Sequence, residues 1–269
     1  MSISDTGGHP FDAAAPGYDV VFTNTKLGRW LRNAVRQRLS AIFRPGDRIL
    51  DLGCGTGEDA IWLAQQGMQV LATDASPSML AIGRGKAEAA NVLDMASFRK
   101  LDLASLKDDD WATGVTFDGV LSNFGALNCL PDRRYLAREL GCHVRSGGSV
   151  VLVVMGPFCL WELVWYLLHR KPGEALRRLR SGRLAHAGGD GQLPVWYPSP
   201  RRLRAEFACC FRHRQTVGIG AMLPPTYLGY LVDRWPRLFS ILAWSDRHIG
   251  GVFPWMWLSD HYLSVFERR

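Results

Sequence analysis

"LDLGCGTGEDAIWLAQQG", residues 50–67, decides the fold. A short apolar run, Arg48 to Leu52, gives way to Gly53, Gly55 and Gly57, then to a helical stretch, Glu58 to Gln66, closed by Gly67. Three glycines between a strand and a helix suit a turn that takes positive φ and lets a ligand lie against bare main chain. A nucleotide-like ligand is therefore expected at this loop. Two features separate it from the common dinucleotide pattern Gly-x-Gly-x-x-Gly. Its glycines are spaced Gly-x-Gly-x-Gly, and its helix opens with Glu58-Asp59, two carboxylates that would repel a pyrophosphate. With Asp51 two residues ahead of the first glycine, the pattern favours a ligand with no phosphate and with a positive end.

Outward from the loop, strand and helix signals alternate. Lys26 to Phe43 reads as an amphipathic helix, Gln69 to Thr73 as strand, Ser78 to Ala90 as helix and Ala96 to Leu101 as strand. Phe117 to Ser122 reads as strand, Arg133 to Val144 as helix and the valine-rich Ser149 to Met155 as strand. This alternation predicts an α/β, doubly wound parallel sheet covered on both faces. After Met155 the rhythm changes. Phe158 to His169 looks helical, a basic linker follows, and Ser199 can cap a helix from Pro200 to Ala208. Phe211 to Met222 alternates like a strand, Pro224-Pro225 opens a helical stretch to about His248, and His261 to Phe266 reads as a last strand. The expected organisation is a single structural domain: a lid and first helix over 1–45, a core over 46–155, a basic and aromatic helical cap insertion over 156–198, and the rest of the sheet over 199–269, with a second helical insertion at 223–258.

The 269 residues, 47% hydrophobic, are ample for a buried core. Met1 to Asp19 carries no basic-then-apolar signature, so a cytoplasmic location is expected. Six cysteines without a Cys-x-x-Cys pair read as reduced thiols, and no metal site is expected. Val150 to Leu168 is nearly continuous in apolar residues, but Gly156-Pro157 breaks it and Glu162 would sit in hydrocarbon, so it reads as a buried strand followed by a helix. The net charge of +7 is concentrated: residues 169–214 hold eleven Lys or Arg against three acids, which leaves the remainder close to neutral.

The motifs resemble the class I S-adenosylmethionine-dependent methyltransferases. "ILDLGCGTG" is similar to the family's first motif, Asp74 in "VLATDAS" to the acid that grips the ribose hydroxyls, and Asp102-Leu103 in "FRKLDLASL" to the adenine-edge motif. Asn123 lies where the fourth-strand motif lines the methionyl pocket, and Tyr18-Asp19 resembles the tyrosine-aspartate of the N-terminal lid. The resemblance covers roughly residues 10 to 155 and the last strand. It implies a Rossmann-like seven-stranded sheet that holds S-adenosylmethionine, released as S-adenosylhomocysteine, with no metal. The cofactor contacts it implies are Tyr18, Asp51, Gly53, Cys54, Gly55, Gly57, Asp74, Ala75, Met79, Asp102, Leu103 and Asn123.

Methyl transfer asks the protein mainly for alignment and exclusion of water, so no catalytic motif names the acceptor. Substrate contacts are expected where the chain departs from the bare fold, at Phe124, Trp161, Trp165, Tyr197 and Tyr227. For proton transfer, His261, Tyr227 and Tyr197 are the candidates, each without a motif behind it. The expected acceptor is a small molecule, partly apolar or anionic, methylated on O, N, S or C. A polyprenyl or lipid-linked acceptor with peripheral membrane contact is the alternative, since aromatic cap helices beside a basic face suit a membrane surface. A cofactor-binding protein without catalysis is a further one. Nucleic acid is not expected, because the Asn-Pro-Pro-Tyr type of motif is replaced by Ser122-Asn123-Phe124-Gly125. The oligomeric state is left open.

Overall fold

The computed structural model describes residues 9–106, 114–180, 182–188 and 191–269. A seven-stranded sheet runs β3 (Ala96–Lys100), β2 (Gln69–Asp74), β1 (Arg48–Leu52), β4 (Phe117–Ser122), β5 (Val144–Met155), β9 (His261–Arg268), β8 (Phe211–Ile219). Its first five strands, β1 to β5, are parallel. β9 runs antiparallel to β5 on one side and to β8 on the other. The order reverses between β1 and β4, and a ligand in such a sheet lies outside the carboxyl ends of the strands at that switch point. Because β9 is antiparallel, its amino end reaches the same edge, and His261 pairs with Met155.

Both faces of the sheet are covered. Ile49, Leu121, Val151, Val153 and Leu263 face one buried layer, packed with Leu31, Val35 and Leu39 of α2 (Lys26–Ile42) and Leu63 of α3 (Glu58–Gln65). Leu50, Leu52, Val120, Val150 and Leu152 face the other, with Leu136 and Leu140 of α5 (Arg134–His143) and Phe207 of α8 (Pro200–Phe207). The period of two along each strand sends neighbours to opposite layers. Each such side chain contributes about 1.5–3 kcal/mol when fully buried. α4 (Pro77–Ala89) connects β2 to β3 and is capped by Ser76, whose Oγ accepts from the Met79 amide at 3.1 Å; Ser199 caps α8 in the same way.

The lid is short turns: α1 (Ala15–Tyr18), then a π-helical turn over Asp19–Thr23. Asp12 fastens it to the cap of α4 by accepting from Ser76 Oγ at 2.5 Å and from the Ser78 amide. Asp19 accepts from Thr56 Oγ1 at 2.7 Å and from Lys86 Nζ at 2.9 Å, which ties the lid to the glycine loop.

The insertion after β5 holds α6 (Leu160–Leu168), α7 (Pro172–Ala175) and a 3-10 turn over Arg177–Leu179. Where the sequence suggests a basic linker, β6 (Arg183–Gly188) and β7 (Gly191–Val195) form an antiparallel hairpin. The second insertion is α9 (Tyr230–Arg234), α10 (Pro236–Ile249) and α11 (Trp255–Leu258), so the single stretch expected there is broken where Pro236 starts a new helix. The apolar run at 150–168 is split between β5 and α6, and no described helix is long and apolar enough to cross a membrane.

Candidate active site

A cleft of about 680 Å³ opens at the carboxyl ends of β1, β4 and β5, under the lid. Gly53 and Gly55 both have positive φ, +69° and +55°. A side chain at Gly53 would come within 2.2 Å of Ala126 Cβ, whereas one at Gly55 would project into open space within the cleft wall. Gly53 is thus needed for packing and Gly55 for access to main chain. Gly57 lies behind the loop against Phe98. Alanine at Gly55 is expected to leave the thermal midpoint within about 4 °C of wild type and to weaken S-adenosylhomocysteine binding about tenfold or more, read by calorimetry.

The two carboxylates that open α3 are not free to repel a ligand. Asp59 is paired with Arg32 and, at 3.2 Å, with Arg36; Glu58 lies 3.3 Å from Arg36 and 3.0 Å from Lys86. The acids that remain open to a ligand are Asp51 and Asp74. Burial, aided by the nearby Asp59, pushes the Asp51 carboxyl well above the usual range. Burial also raises Asp74, against the amides of Ser76 and Gly55 that donate to it at 2.9 Å each.

Four buried polar atoms of the cleft wall have no hydrogen-bond partner: Asp51 Oδ2, Asn123 Oδ1, Arg32 Nε and, on the far side, His261 Nδ1. Arg32 and Asn123 belong to one network, since Arg32 and the Asn123 amide, the latter at 2.8 Å, both donate to Asp59 Oδ2, and Asp51 is close enough to feel the charges of Asp59 and Arg32. Two acceptors, one of them acidic, beside one cationic donor are the complement of an α-amino acid zwitterion. An unmade hydrogen bond at such a site costs about 1–3 kcal/mol, which a ligand that supplies the partners recovers. The methionyl end of S-adenosylmethionine has that chemistry, so the residues present fit the cofactor. The cleft wall as a whole carries six carboxylates, Asp51, Glu58, Asp59, Asp74, Glu162 and Asp260, against Arg32, Arg177 and Arg178. That balance suits a ligand with a positive centre.

The inner wall is aromatic. Phe124 holds φ +50°, a strained value for a side-chain-bearing residue, and Gly125 follows at +100°; together they turn the chain out of β4. The Phe124 ring meets Phe22 edge-on at 5.1 Å and His261 edge-on at 5.4 Å. Tyr197 lies under Arg178 at 5.3 Å, and Tyr227 stacks on Tyr166 at 6.4 Å with Arg177 over both. Burial raises the hydroxyls of Tyr197 and Tyr227 above the ordinary tyrosine value, for Tyr227 with help from Glu162. Both stay protonated and can donate.

Part of this wall is a buried charged cluster that sequence reading misses. Arg178 donates to Glu162 from Nε at 3.0 Å and from Nη2 at 2.8 Å, and to Asp260 Oδ1 at 2.5 Å. Arg177 donates to Glu162 at 2.6 Å. Asp260 Oδ2 lies 3.1 Å from His261 Nδ1. Burial alone would raise the Asp260 carboxyl, but His261 and Arg178 hold it well below the usual range. The only sequence signal for this cluster is Glu162, an acid in an otherwise apolar run.

Of the residues expected at the cofactor, Tyr18, Asp51, Gly53, Cys54, Gly55, Asp74, Met79 and Asn123 line the cleft. Ala75 is half-buried beside Asp74. Asp102 and Leu103 stand outside the cleft wall; Asp102 is exposed and accepts from the Ala104 amide at 2.9 Å, and residues 107–113 lie outside the described residues. Of those expected at the substrate, Phe124, Tyr197 and Tyr227 line the cleft, whereas Trp161 packs on Phe239 at 5.8 Å and Trp165 on His169 at 4.3 Å.

A family model described as a methyltransferase domain matches residues 49–148. The demethylmenaquinone methyltransferase of Thermus thermophilus is 35% identical over 208 residues, 74% of this chain and 89% of that protein. The enzyme of the same name from Symbiobacterium thermophilum is 31% identical over 152 residues, 55% of this chain, and the match spans 59% of its length. Among solved structures, the CcbJ methyltransferase of Streptomyces caelestis has the same fold, with a TM-score of 0.62 at 17% identity over 97% of this chain and 98% of that one. With the cleft and its glycine loop at the sheet's switch point, these matches settle the family: the chain belongs to the class I S-adenosylmethionine-dependent methyltransferases.

Proposed function

We propose that this methyltransferase acts on a small, flat, largely apolar acceptor whose reacting atom gives up a proton, and that His261 takes that proton. The observation that carries the reading is the aromatic corner of Phe22, Phe124 and His261, in the same cleft as the glycine loop. Edge-to-face walls of this kind hold a planar ring and exclude water. Asp51 and Asn123 hold the ammonium of the cofactor's methionyl end, Arg32 its carboxylate, and Asp74 the ribose. The bound cofactor supplies an electrophilic methyl whose sulfur loses its positive charge on transfer.

The carboxylate of Asp260, 3.1 Å from Nδ1 but short of hydrogen-bond geometry, favours a proton on that nitrogen electrostatically, which leaves Nε2 as the acceptor. Tyr197 and Tyr227, held protonated, orient the acceptor rather than deprotonate it. An anionic acceptor draws no support from the cleft, because Arg177 and Arg178 already face carboxylates and the unpartnered donor of Arg32, Nε, is taken by the cofactor's carboxylate. Relatives named demethylmenaquinone methyltransferase put a quinone-type ring first among acceptors to test.

The test is methyl release from labelled S-adenosylmethionine with a panel of hydroxylated aromatic and quinone compounds. His261→Gln should lower kcat about 100- to 10,000-fold and leave S-adenosylhomocysteine affinity unchanged. An unaltered kcat, or a loss confined to cofactor binding, would remove His261 from this role.

A further inference from the structure

Large apolar side chains that remain exposed are unevenly placed. Among the described residues all belong to the stretch 158–253, except Val20 and Val21 in the lid and Leu93. One group lies on α6 and the turns after it, and a second on α9, α10 and the residues that follow. Val164, Leu167, Leu168, Leu176 and Leu179 are 48–76% exposed, and Arg170, Lys171 and Arg180 stand exposed among them. From residue 169 onward the same stretch runs into the part of the chain that carries the excess positive charge. On its inner side it forms the cleft wall through Glu162, Arg177 and Arg178, while Tyr166 stacks on Tyr227 at the rim. Two of the exposed apolar residues, Val21 and Tyr227, themselves line the cleft.

We propose that the outer side of residues 164–180 is a docking surface for a bilayer of anionic phospholipid, which it meets with the cleft mouth alongside. Apolar side chains reach into the headgroup boundary while interspersed arginine and lysine meet lipid phosphates. Charge selects this occupant over a second copy of the chain. A two-fold contact sets a patch against itself, and here it would place Arg170, Lys171 and Arg180 against their own kind. The surface does not depend on the identity of the acceptor.

The experiment is co-sedimentation with vesicles of phosphatidylcholine, with and without about 30 mole per cent phosphatidylglycerol, at about 0.1 M and about 1 M salt. The purified chain should bind the mixed vesicles about tenfold or more tightly than the neutral ones, with the difference lost at high salt. Leu167→Glu with Leu168→Glu should weaken binding to mixed vesicles about tenfold, and Arg170→Glu with Lys171→Glu should abolish the preference for them. Both pairs are exposed, so S-adenosylhomocysteine affinity and melting temperature should hold and report an intact fold. Three outcomes would overturn the proposal: no binding to mixed vesicles, wild-type binding by both folded variants, or a dimer in sedimentation velocity that the leucine variant dissociates while vesicles are ignored.

Discussion

Asparagine at position 51 is expected to weaken S-adenosylhomocysteine binding by about 10- to 150-fold, ~1.5–3 kcal/mol, while the unliganded protein melts at the same temperature or higher. The two effects have opposite signs because Asp51 is 1% exposed and its Oδ2 has no partner until a ligand supplies one. Burial, with Asp59 close by, raises its pKa, so the ionised form is disfavoured in the free protein. The folded protein therefore holds that proton to higher pH than the unfolded chain does, and stability from this group is lost as pH rises through the folded pKa. An ammonium placed against Oδ2 reverses the balance by favouring the carboxylate. Wild-type affinity should thus increase with pH, and the Asp51→Asn variant should lose much of that slope. Calorimetry across pH, paired with melting curves, checks both halves. Equal affinity and equal slope in the two proteins would mean that the ammonium binds elsewhere.

Methionine in place of Arg178 should cost about 3–5 kcal/mol of stability, a fall in melting temperature of about 6–20 °C. The guanidinium is 6% exposed and compensates Glu162 and Asp260, which are as deeply buried. Burial tends to raise both acids, yet Arg178 with Arg177 and His261 holds them below their ordinary values. Acids with lowered folded pKa values contribute stability that is present above the unfolded carboxylate range and is lost as pH falls through the folded pKa. Removing the arginine leaves Glu162 with Arg177 alone and Asp260 with His261 alone, two under-compensated buried carboxylates that gain by taking up protons. The deficit should therefore be largest near neutral pH and shrink on acidification towards about pH 4. A variant that melts with wild type at neutral pH would show that the cluster adds nothing to stability.

The sheet and the glycine loop are legible in the sequence because their signals are local. Each strand is a short apolar run, each parallel neighbour needs a crossover helix, and the three glycines stand at turns that only the main chain explains. What stays hidden depends on distance along the chain. Arg178 meets partners 16 and 82 residues away, at Glu162 and Asp260, and no spacing rule joins them. Glu58 and Asp59 look like open charges until α2 brings Arg32 and Arg36 against them. Trp161 and Trp165 share the composition of pocket residues but turn to Phe239 of the second insertion and, one turn along the same helix, to His169. The β6–β7 hairpin is missed because its residues carry no clear apolar alternation.

β8 has only β9 as a neighbour, and β9 is later in the chain than every other strand of the sheet. Two edges of the molecule thus wait on one segment, which slots between β5 and β8 and brings His261 with it. A nascent or nicked polypeptide that lacks this keystone can still shape the glycine turn. It would lack the His261 side of the aromatic corner, which is completed only when the last strand closes.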